Sequence, residues 1–417
     1  MLALTPDHFA AHAHRLYLLN YDHQRTPEQI LAEHQAWANR FTTTNQTNNT
    51  NDPTPNRRLR IGYVSPDFRR HPVGRFLDPI LAHHDAAKVE VFCYDEAIRP
   101  PDDQTARLRS LAHQWRICRG LSSNQFAELV RADRIDILVE LTGHTADNRL
   151  AVLARRLAPV QVTYLGYPNT TGVPAIDYFL TDPIADPPDQ PAFFTEKLYH
   201  MPNGFCVFAP RAGNPDVGPS PADRGFVTFG SMHNQAKLNP KVLDLWANVL
   251  KVVPTARMLF VRHTLTEEGR EALRKAYAAR GVDPARLDFR QPRAGSAEYI
   301  RYYAEMDVQL DPFPWTGHTT GCESLWMGVP IISLRGLTHA GRMVASVLHY
   351  AGLPDWIAET PEEYLRIAAK WAGNLPALAA LRAGMREKLM RSKLCDAVGF
   401  SRQVEDAFRD MWRTWCE

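Results

Sequence analysis

Short apolar runs rich in β-branched residues punctuate the chain from Leu59 onward. Residues 60–65 (RIGYVS), 89–95 (VEVFCYD), 135–141 (IDILVEL) and 160–168 (VQVTYLGYP) precede a Pro- and Gly-rich stretch at 209–225. Residues 226–232 (FVTFGSM), 256–263 (ARMLFVRH), 306–313 (MDVQLDPF) and 329–336 (VPIISLRG) come after it. Runs of this length and make-up predict buried strands. Helical stretches such as 271–280 (EALRKAYAAR) and 296–306 (SAEYIRYYAEM) separate them. Strands alternating with helices imply parallel sheets wrapped by helices, so the fold class is α/β, in two halves.

The flanks depart from this pattern. In residues 1–42, Ile30, Leu31, His34, Trp37 and Phe41 fall near helical spacing and predict two helices. Two helices are too few for a core of their own. They read as the stub of a longer helical region or as a cap on the first α/β half. Residues 43–57 are polar and of low complexity and read as a flexible linker. The expected organisation is therefore a first α/β domain at 58–208, an interdomain linker at 209–225, a second α/β domain at 226–390, and C-terminal helices at 391–417. Phe400, Val404, Phe408 and Met411 line one face of the last segment.

Composition narrows the class. Hydrophobic residues make up 45% and charged residues 23% of 417, as in a soluble enzyme. A net charge of +2 gives no bulk attraction for nucleic acid. Six cysteines, scattered and without a CxxC pair, fit reduced thiols rather than a zinc ribbon or a disulfide scaffold. The N-terminus lacks a signal-peptide pattern, and no apolar run reaches about 18 residues, so neither secretion nor a membrane span is expected. The expected location is cytoplasmic. The glycosylation sequons at Asn45, Asn48 and Asn169 are then chance matches.

The candidate chemistry lies in loops at the ends of the strands, where open α/β sheets bind ligands. Were the two halves to face each other, these loops would share one cleft. Gly-His-Thr-Thr-Gly at 317–321 precedes a helical stretch expected to start near Thr319 or Thr320. One reading is an N-cap by threonine with Glu323 in the first turn. The other is an anion cradle: unpaired N–H groups, the Thr319 and Thr320 hydroxyls and His318 suit a diphosphate, while Glu323 suits a ribose. Lys237 is a second phosphate candidate or a solvated lysine. His71 and His144 are candidate bases or incidental loop histidines, with Arg69 and Arg70 a solvated rim. Dinucleotide, P-loop, DxD and HExxH motifs are absent, so no metal is indicated and helix dipole, Lys and Thr would neutralise a leaving group.

Five stretches together carry a family resemblance: 60–94, 157–182 (LAPVQVTYLGYPNTTGVPAIDYFLTD), 196–203 (EKLYHMPN), 236–254 and 318–333 (HTTGCESLWMGVPIIS). From Arg58 to the C-terminus they resemble the catalytic region of protein O-GlcNAc transferases, specifically the short bacterial members. The resemblance implies a GT-B fold of two Rossmann-like doubly wound domains facing a cleft. It implies inverting, metal-independent transfer from UDP-N-acetylglucosamine to protein Ser/Thr hydroxyls, with no cofactor. Lys237 resembles the lysine that stabilises the departing diphosphate, and His318, Thr319 and Thr320 the phosphate-binding turn. Glu323 corresponds to a ribose-holding acid, His71 to a histidine near the sugar, and Pro168, Asn169 and Thr170 to a loop lining the sugar and acceptor side, with His144 placed beside it.

The chain also departs from that family. Tyr299 stands where animal members have a histidine near the uridine, and Ser296 and Tyr302 replace a lysine and an arginine there. UDP against GDP is thereby open, since plant relatives resembling this family transfer fucose from GDP-fucose. The helical repeats that present protein acceptors are represented only by residues 1–42. Repeats then lie upstream of Met1, or the acceptor is found otherwise, or the stub seats a partner or a second copy. Two other functions remain: a sugar-nucleotide 2-epimerase using Asp67 and Glu140 as acid and base, and a silent nucleotide-binding module.

Overall fold

A computed structural model of the chain describes residues 5, 7–43, 49–191, 193–210, 213–293 and 297–417. It divides into two compact units, one formed by residues 1–209 with 396–417, the other by 210–395.

The first unit carries a parallel sheet of β1 (Leu59–Ser65), β2 (Val89–Asp95), β3 (Gln114–Ile117), β4 (Ile137–Glu140), β5 (Val160–Thr163), β6 (Tyr178–Thr181) and β7 (Lys197–His200), in the order β3-β2-β1-β4-β5-β6-β7. Its helices are α1 (Phe9–Leu19), α2 (Pro27–Phe41), α3 (Pro72–His83), α4 (Asp103–Leu111), α5 (Ser123–Ala132) and α6 (Leu150–Leu153). The chain order reverses between β1 and β4, so the loops after these two strands straddle the switch point. β4 is buried along its whole length, which accounts for its unbroken apolar run Ile-Leu-Val.

The second unit repeats the plan with β8 (Thr228–Ser231), β9 (Arg257–Val261), β10 (Leu287–Arg290), β11 (Val308–Leu310), β12 (Ile331–Leu334) and β13 (Ile357–Ala358), ordered β10-β9-β8-β11-β12-β13. Its helices are α7 (Pro240–Val252), α8 (Glu267–Ala278), α9 (His318–Trp326), α10 (His339–Tyr350), α11 (Pro361–Ala372) and α12 (Leu375–Met390). Here the switch point lies between β8 and β11. The stretch 297–305 is a 3₁₀ helix that brings Tyr299 and Tyr302 against Met232, Leu259 and Met327. Ser296, expected near the nucleotide base, lies outside the described residues.

Four segments show what a reading by pattern alone leaves open or misses. The α1–α2 hairpin shares the first unit's core: Leu16, Ile30 and Trp37 pack in one cluster with Leu150, Val173 and Ile176. It is therefore a cap on that unit. Residues 49–57, expected as a flexible linker, are tied down, because buried Asp136 needs donors. Arg57 gives it two hydrogen bonds, at 2.7 and 2.6 Å, and Asn51 a third at 2.7 Å. Residues 44–48, with Asn45 and Asn48, lie outside the described residues. The described part of 213–225 is pinned within the second unit, where Asp307 accepts from Ser220 Oγ at 2.8 Å and Arg382 donates to the Gly218 carbonyl at 3.0 Å. The last helix, α13 (Ala397–Cys416), packs on α3 of the first unit with Phe400, Val404, Phe408 and Met411 buried. Glu405 anchors it by accepting from the Asp85 amide at 2.6 Å and from His84.

Candidate functional site

In the second unit the loops after β8 and β11 meet at the start of α9. The helix begins at His318, earlier than sequence spacing suggests, and its N-cap is Gly317, with no side chain capping it. The threonine cap is therefore not made, and the first-turn amides keep the positive end of the helix dipole open to an anion. Gly317 is required by contact rather than by conformation. Its φ is −96°, yet a Cβ there would lie 2.2 Å from His233 Cε1 and 2.4 Å from Thr320 Oγ1.

Lys237 reaches this turn. Its Nζ donates to the Thr316 carbonyl at 2.7 Å and sits 4.9 Å from the Trp315 ring centre. Burial lowers its pKa, opposed by the Asp311 carboxylate and reinforced by Arg262. Asp311 is buried at the end of β11, accepting from Gly317 N at 2.9 Å and from Ser333 Oγ at 2.6 Å. Burial raises its carboxyl, and Ser333, Gly317 and Lys237 pull it back. Asp311 thus holds the N-cap residue and faces the lysine charge.

His233, also buried, has Nδ1 3.1 Å from Thr320 Oγ1 and Nε2 3.4 Å from the Gln309 amide nitrogen. His233 thus holds the Thr320 hydroxyl, and its Nε2 also lies 3.6 Å from the Asp311 carboxylate. Burial first, then His339 and Lys237, lower the His318 pKa to about 3, so its imidazole is neutral at pH 7. Glu323 is 2% exposed, and its Oε2 accepts from the Tyr299 hydroxyl. Two residues expected at the nucleoside are thereby joined.

In the first unit, His71 is the N-cap of α3. Its Nδ1 accepts from Val73 N at 3.3 Å and lies 3.4 Å from Asp67 Oδ2. While Nδ1 accepts, the neutral ring carries its proton on Nε2 and donates there. With the proton on Nδ1, turned to Asp67, Nε2 is basic instead. Burial lowers the His71 pKa; Asp67 raises it, and Arg69, Arg99 and Arg75 push it down. Arg69 is held by Asp67 at 2.7 Å, and the exposed Arg70 pairs with Asp103.

The loops after β4 and β5 are buried where they leave the strands, at 141–144 and 167–171. His144 donates from Nε2 to the Thr171 carbonyl at 2.7 Å, its ring packed against Trp37 at 4.5 Å. Pro168, Asn169 and Thr170 are buried as well. Asn169 turns its amide to Asn20 at 3.0 Å, and Thr170 donates to Glu196 at 2.6 Å. These side chains, expected to line a sugar and acceptor site, are engaged inside the unit; they shape the loop. Glu140 is also spoken for, accepting from Thr142 N at 3.0 Å, Gly143 N at 2.8 Å and Thr163. With Asp67 held by Arg69, the acid–base pair an epimerase needs is not presented.

The sequence profile described as Glycosyl transferase family 41 matches residues 9–212 and 222–404. The chain belongs to that family. It is 38% identical over 424 residues to the SPINDLY protein of Solanum lycopersicum, named as a probable UDP-N-acetylglucosamine–peptide N-acetylglucosaminyltransferase. That match takes in 100% of this chain and 45% of the tomato protein, so the chain spans about half the length of such relatives. A mutant of the Thermobaculum terrenum O-GlcNAc transferase is similar at TM-score 0.93 and 39% identity, over 100% of this chain and 79% of that one. The sucrose-phosphate synthase of Thermosynechococcus elongatus, at TM-score 0.54 and 14% identity over 86% and 100% of the two chains, shares the GT-B fold.

Within this family 41 fold, the structure joins Lys237, Thr320 and His318 at one helix start and Tyr299 with Glu323 behind it. Pattern reading passed over His233, Gln309, Asp311 and Glu196. A signal was present for Asp311: an acid directly at the carboxyl end of a buried strand. Among the described residues, no helix is long and apolar enough to cross a membrane, and no three His, Cys, Asp or Glu side chains are grouped to hold a metal.

Proposed function

We propose that this chain is an inverting, metal-independent glycosyltransferase that moves N-acetylglucosamine from UDP-N-acetylglucosamine to Ser/Thr hydroxyls of proteins. The donor and the peptide acceptor are those for which its family 41 relatives are named. One observation carries the reading: the Lys237 ammonium is 2.7 Å from the Thr316 carbonyl, at the mouth of a helix whose N-terminus no side chain caps. That arrangement supports a role in holding a diphosphate as it departs.

In this mechanism the acceptor oxygen attacks the anomeric carbon opposite the bond to UDP. The new C–O bond forms as the bond to the diphosphate breaks, and the sugar inverts. Lys237, Thr319, Thr320 and the α9 amides take up the charge on UDP. Glu323, oriented by Tyr299, accepts from the ribose. The acceptor proton leaves to the His71 tautomer that is basic at Nε2, to a water chain, or to the donor phosphate. The test is a transfer assay with a Ser/Thr peptide library and a donor panel of UDP-N-acetylglucosamine and GDP-fucose. Incorporation of N-acetylglucosamine into peptide supports the reading. Transfer from GDP-fucose alone, or conversion of the donor to another sugar nucleotide without acceptor, overturns it.

A further inference from the structure

A chain of buried hydrogen bonds runs from the 168–171 loop into the helical hairpin. Asn169 donates from Nδ2 to Asn20 Oδ1 at 3.0 Å. Asn20 Nδ2 donates to the Tyr167 hydroxyl at 3.0 Å. That hydroxyl lies 2.8 Å from His34 Nε2, and His34 Nδ1 lies 2.7 Å from the Ile30 carbonyl. A carbonyl only accepts, so Nδ1 carries the ring proton, Nε2 is the acceptor, and Tyr167 donates to it. The Asn20 amide is oriented independently, since its Nδ2 also faces the Leu16 and Tyr17 carbonyls at 3.2 Å each.

The Tyr167 hydroxyl also lies 3.2 Å from the Leu16 carbonyl, so both acceptors open to its proton, His34 Nε2 and Leu16, belong to the hairpin. The four side-chain residues are nearly sealed: Asn169 is 6% exposed, Asn20 4%, Tyr167 2% and His34 0%. The backbones approach as closely as the side chains. Gly172 has φ +73°, and a Cβ there would lie 2.5 Å from the His34 carbonyl oxygen. Catalytic chemistry has no use for such a chain, and apolar residues of equal volume would pack the hairpin at lower desolvation cost. What a directed polar chain adds is one register between two elements.

We propose that the α1–α2 hairpin sets the position of the 168–171 loop through the chain Asn169–Asn20–Tyr167–His34, making His34 and Asn20 positioning residues for the sugar or acceptor group that the loop meets. The proposal rests on the family 41 function proposed for this chain. Its consequence is that a force or partner acting on the hairpin alters acceptor handling and leaves nucleotide binding, a property of the second unit, alone.

The test uses full-length Tyr167→Phe, which keeps the ring and removes the hydroxyl, and Asn169→Ala, which removes the loop's link together with the acceptor of the Thr170 amide. Hydrogen exchange is read at the Thr171 and Gly172 amides, with UDP affinity by calorimetry and acceptor KM in the transfer assay. In each variant amide exchange and acceptor KM should rise by at least about three- to tenfold, the scale of a single buried hydrogen bond. UDP affinity should not change. Nitrogen NMR of the wild-type His34 ring should show the proton on Nδ1. Wild-type exchange and KM in both variants overturn the proposal, and Asn169→Ala decides alone if Tyr167→Phe does not fold. A wild-type protein that binds no UDP and transfers no sugar instead defeats the glycosyltransferase function; the exchange data still decide the positioning role.

Discussion

Gly317→Ala adds a single methyl group at the point where the second unit's site is built most tightly. The backbone conformation, with φ −96°, suits alanine, so any loss traces to contact. The new Cβ would sit 2.2 Å from His233 Cε1 and 2.6 Å from its Nδ1, where ordinary contact begins at 3.4 Å. A displacement of more than 1 Å is therefore needed. His233 is buried and tied to Thr320 and Gln309, and Gly317 N is tied to Asp311, so neither side yields freely. Overpacking of this kind costs about 1–3 kcal/mol. If the shift falls on the helix start, where the diphosphate is proposed to bind, UDP affinity falls by about 5- to 150-fold. Calorimetry with UDP reads this directly, and urea unfolding separates site distortion from global loss. The double variant Gly317→Ala/His233→Ala should be less impaired than the sum of the singles, because removing the imidazole relieves the clash. UDP binding at wild-type strength in Gly317→Ala would refute the close-approach argument.

Lys237→Ala should lower the transfer rate by about 10²–10³-fold, as for loss of a key charge-stabilising donor, with circular dichroism unchanged. Near-normal turnover would remove Lys237 from the mechanism. Tyr299→Phe strips a donor from the buried Glu323 carboxylate and should cost about 1–3 kcal/mol in urea unfolding; an unshifted midpoint would show that water or another donor replaces it. Burial lowers the His34 pKa to about 4 from an ordinary 6.5. Above 6.5 both folded and unfolded forms are neutral there. Below it the unfolded chain takes the proton first, so stability falls as pH drops towards the folded value. Between pH 6.5 and 5 the wild type should lose about 1.6 kcal/mol more than His34→Gln. Parallel pH profiles for the two proteins would contradict the buried neutral imidazole.

Legibility in the sequence tracked the range of the interaction. Continuous apolar runs such as Ile-Leu-Val in β4 announce a strand buried on both faces, because the cause is local. The turn at 317–320, proposed to hold a diphosphate, stood out for the same reason: a helix start, glycine and hydroxyls sit side by side. The destination of α13 was not, since its amphipathic face says only that it packs, and the partner, α3, lies over 300 residues earlier. The linker reading of 49–57 failed because low apolar content removes one means of ordering and leaves another. Arg57 and Asn51 order that stretch by satisfying Asp136, a carboxylate no local pattern flags.

The histidines separate by what each ring nitrogen meets. His71 keeps one nitrogen at a helix N-cap beside Asp67. His233 presents Thr320. His144 and His34 are sealed under one loop, each held to a backbone carbonyl, Thr171 for one and Ile30 for the other. Burial drives three of these rings, His233, His144 and His34, well away from titration at neutral pH, so their value is geometric: a neutral imidazole donates on one side and accepts on the other. That polarity lets His34 accept from Tyr167 in the chain ending at Asn169, which an isosteric apolar ring could not do.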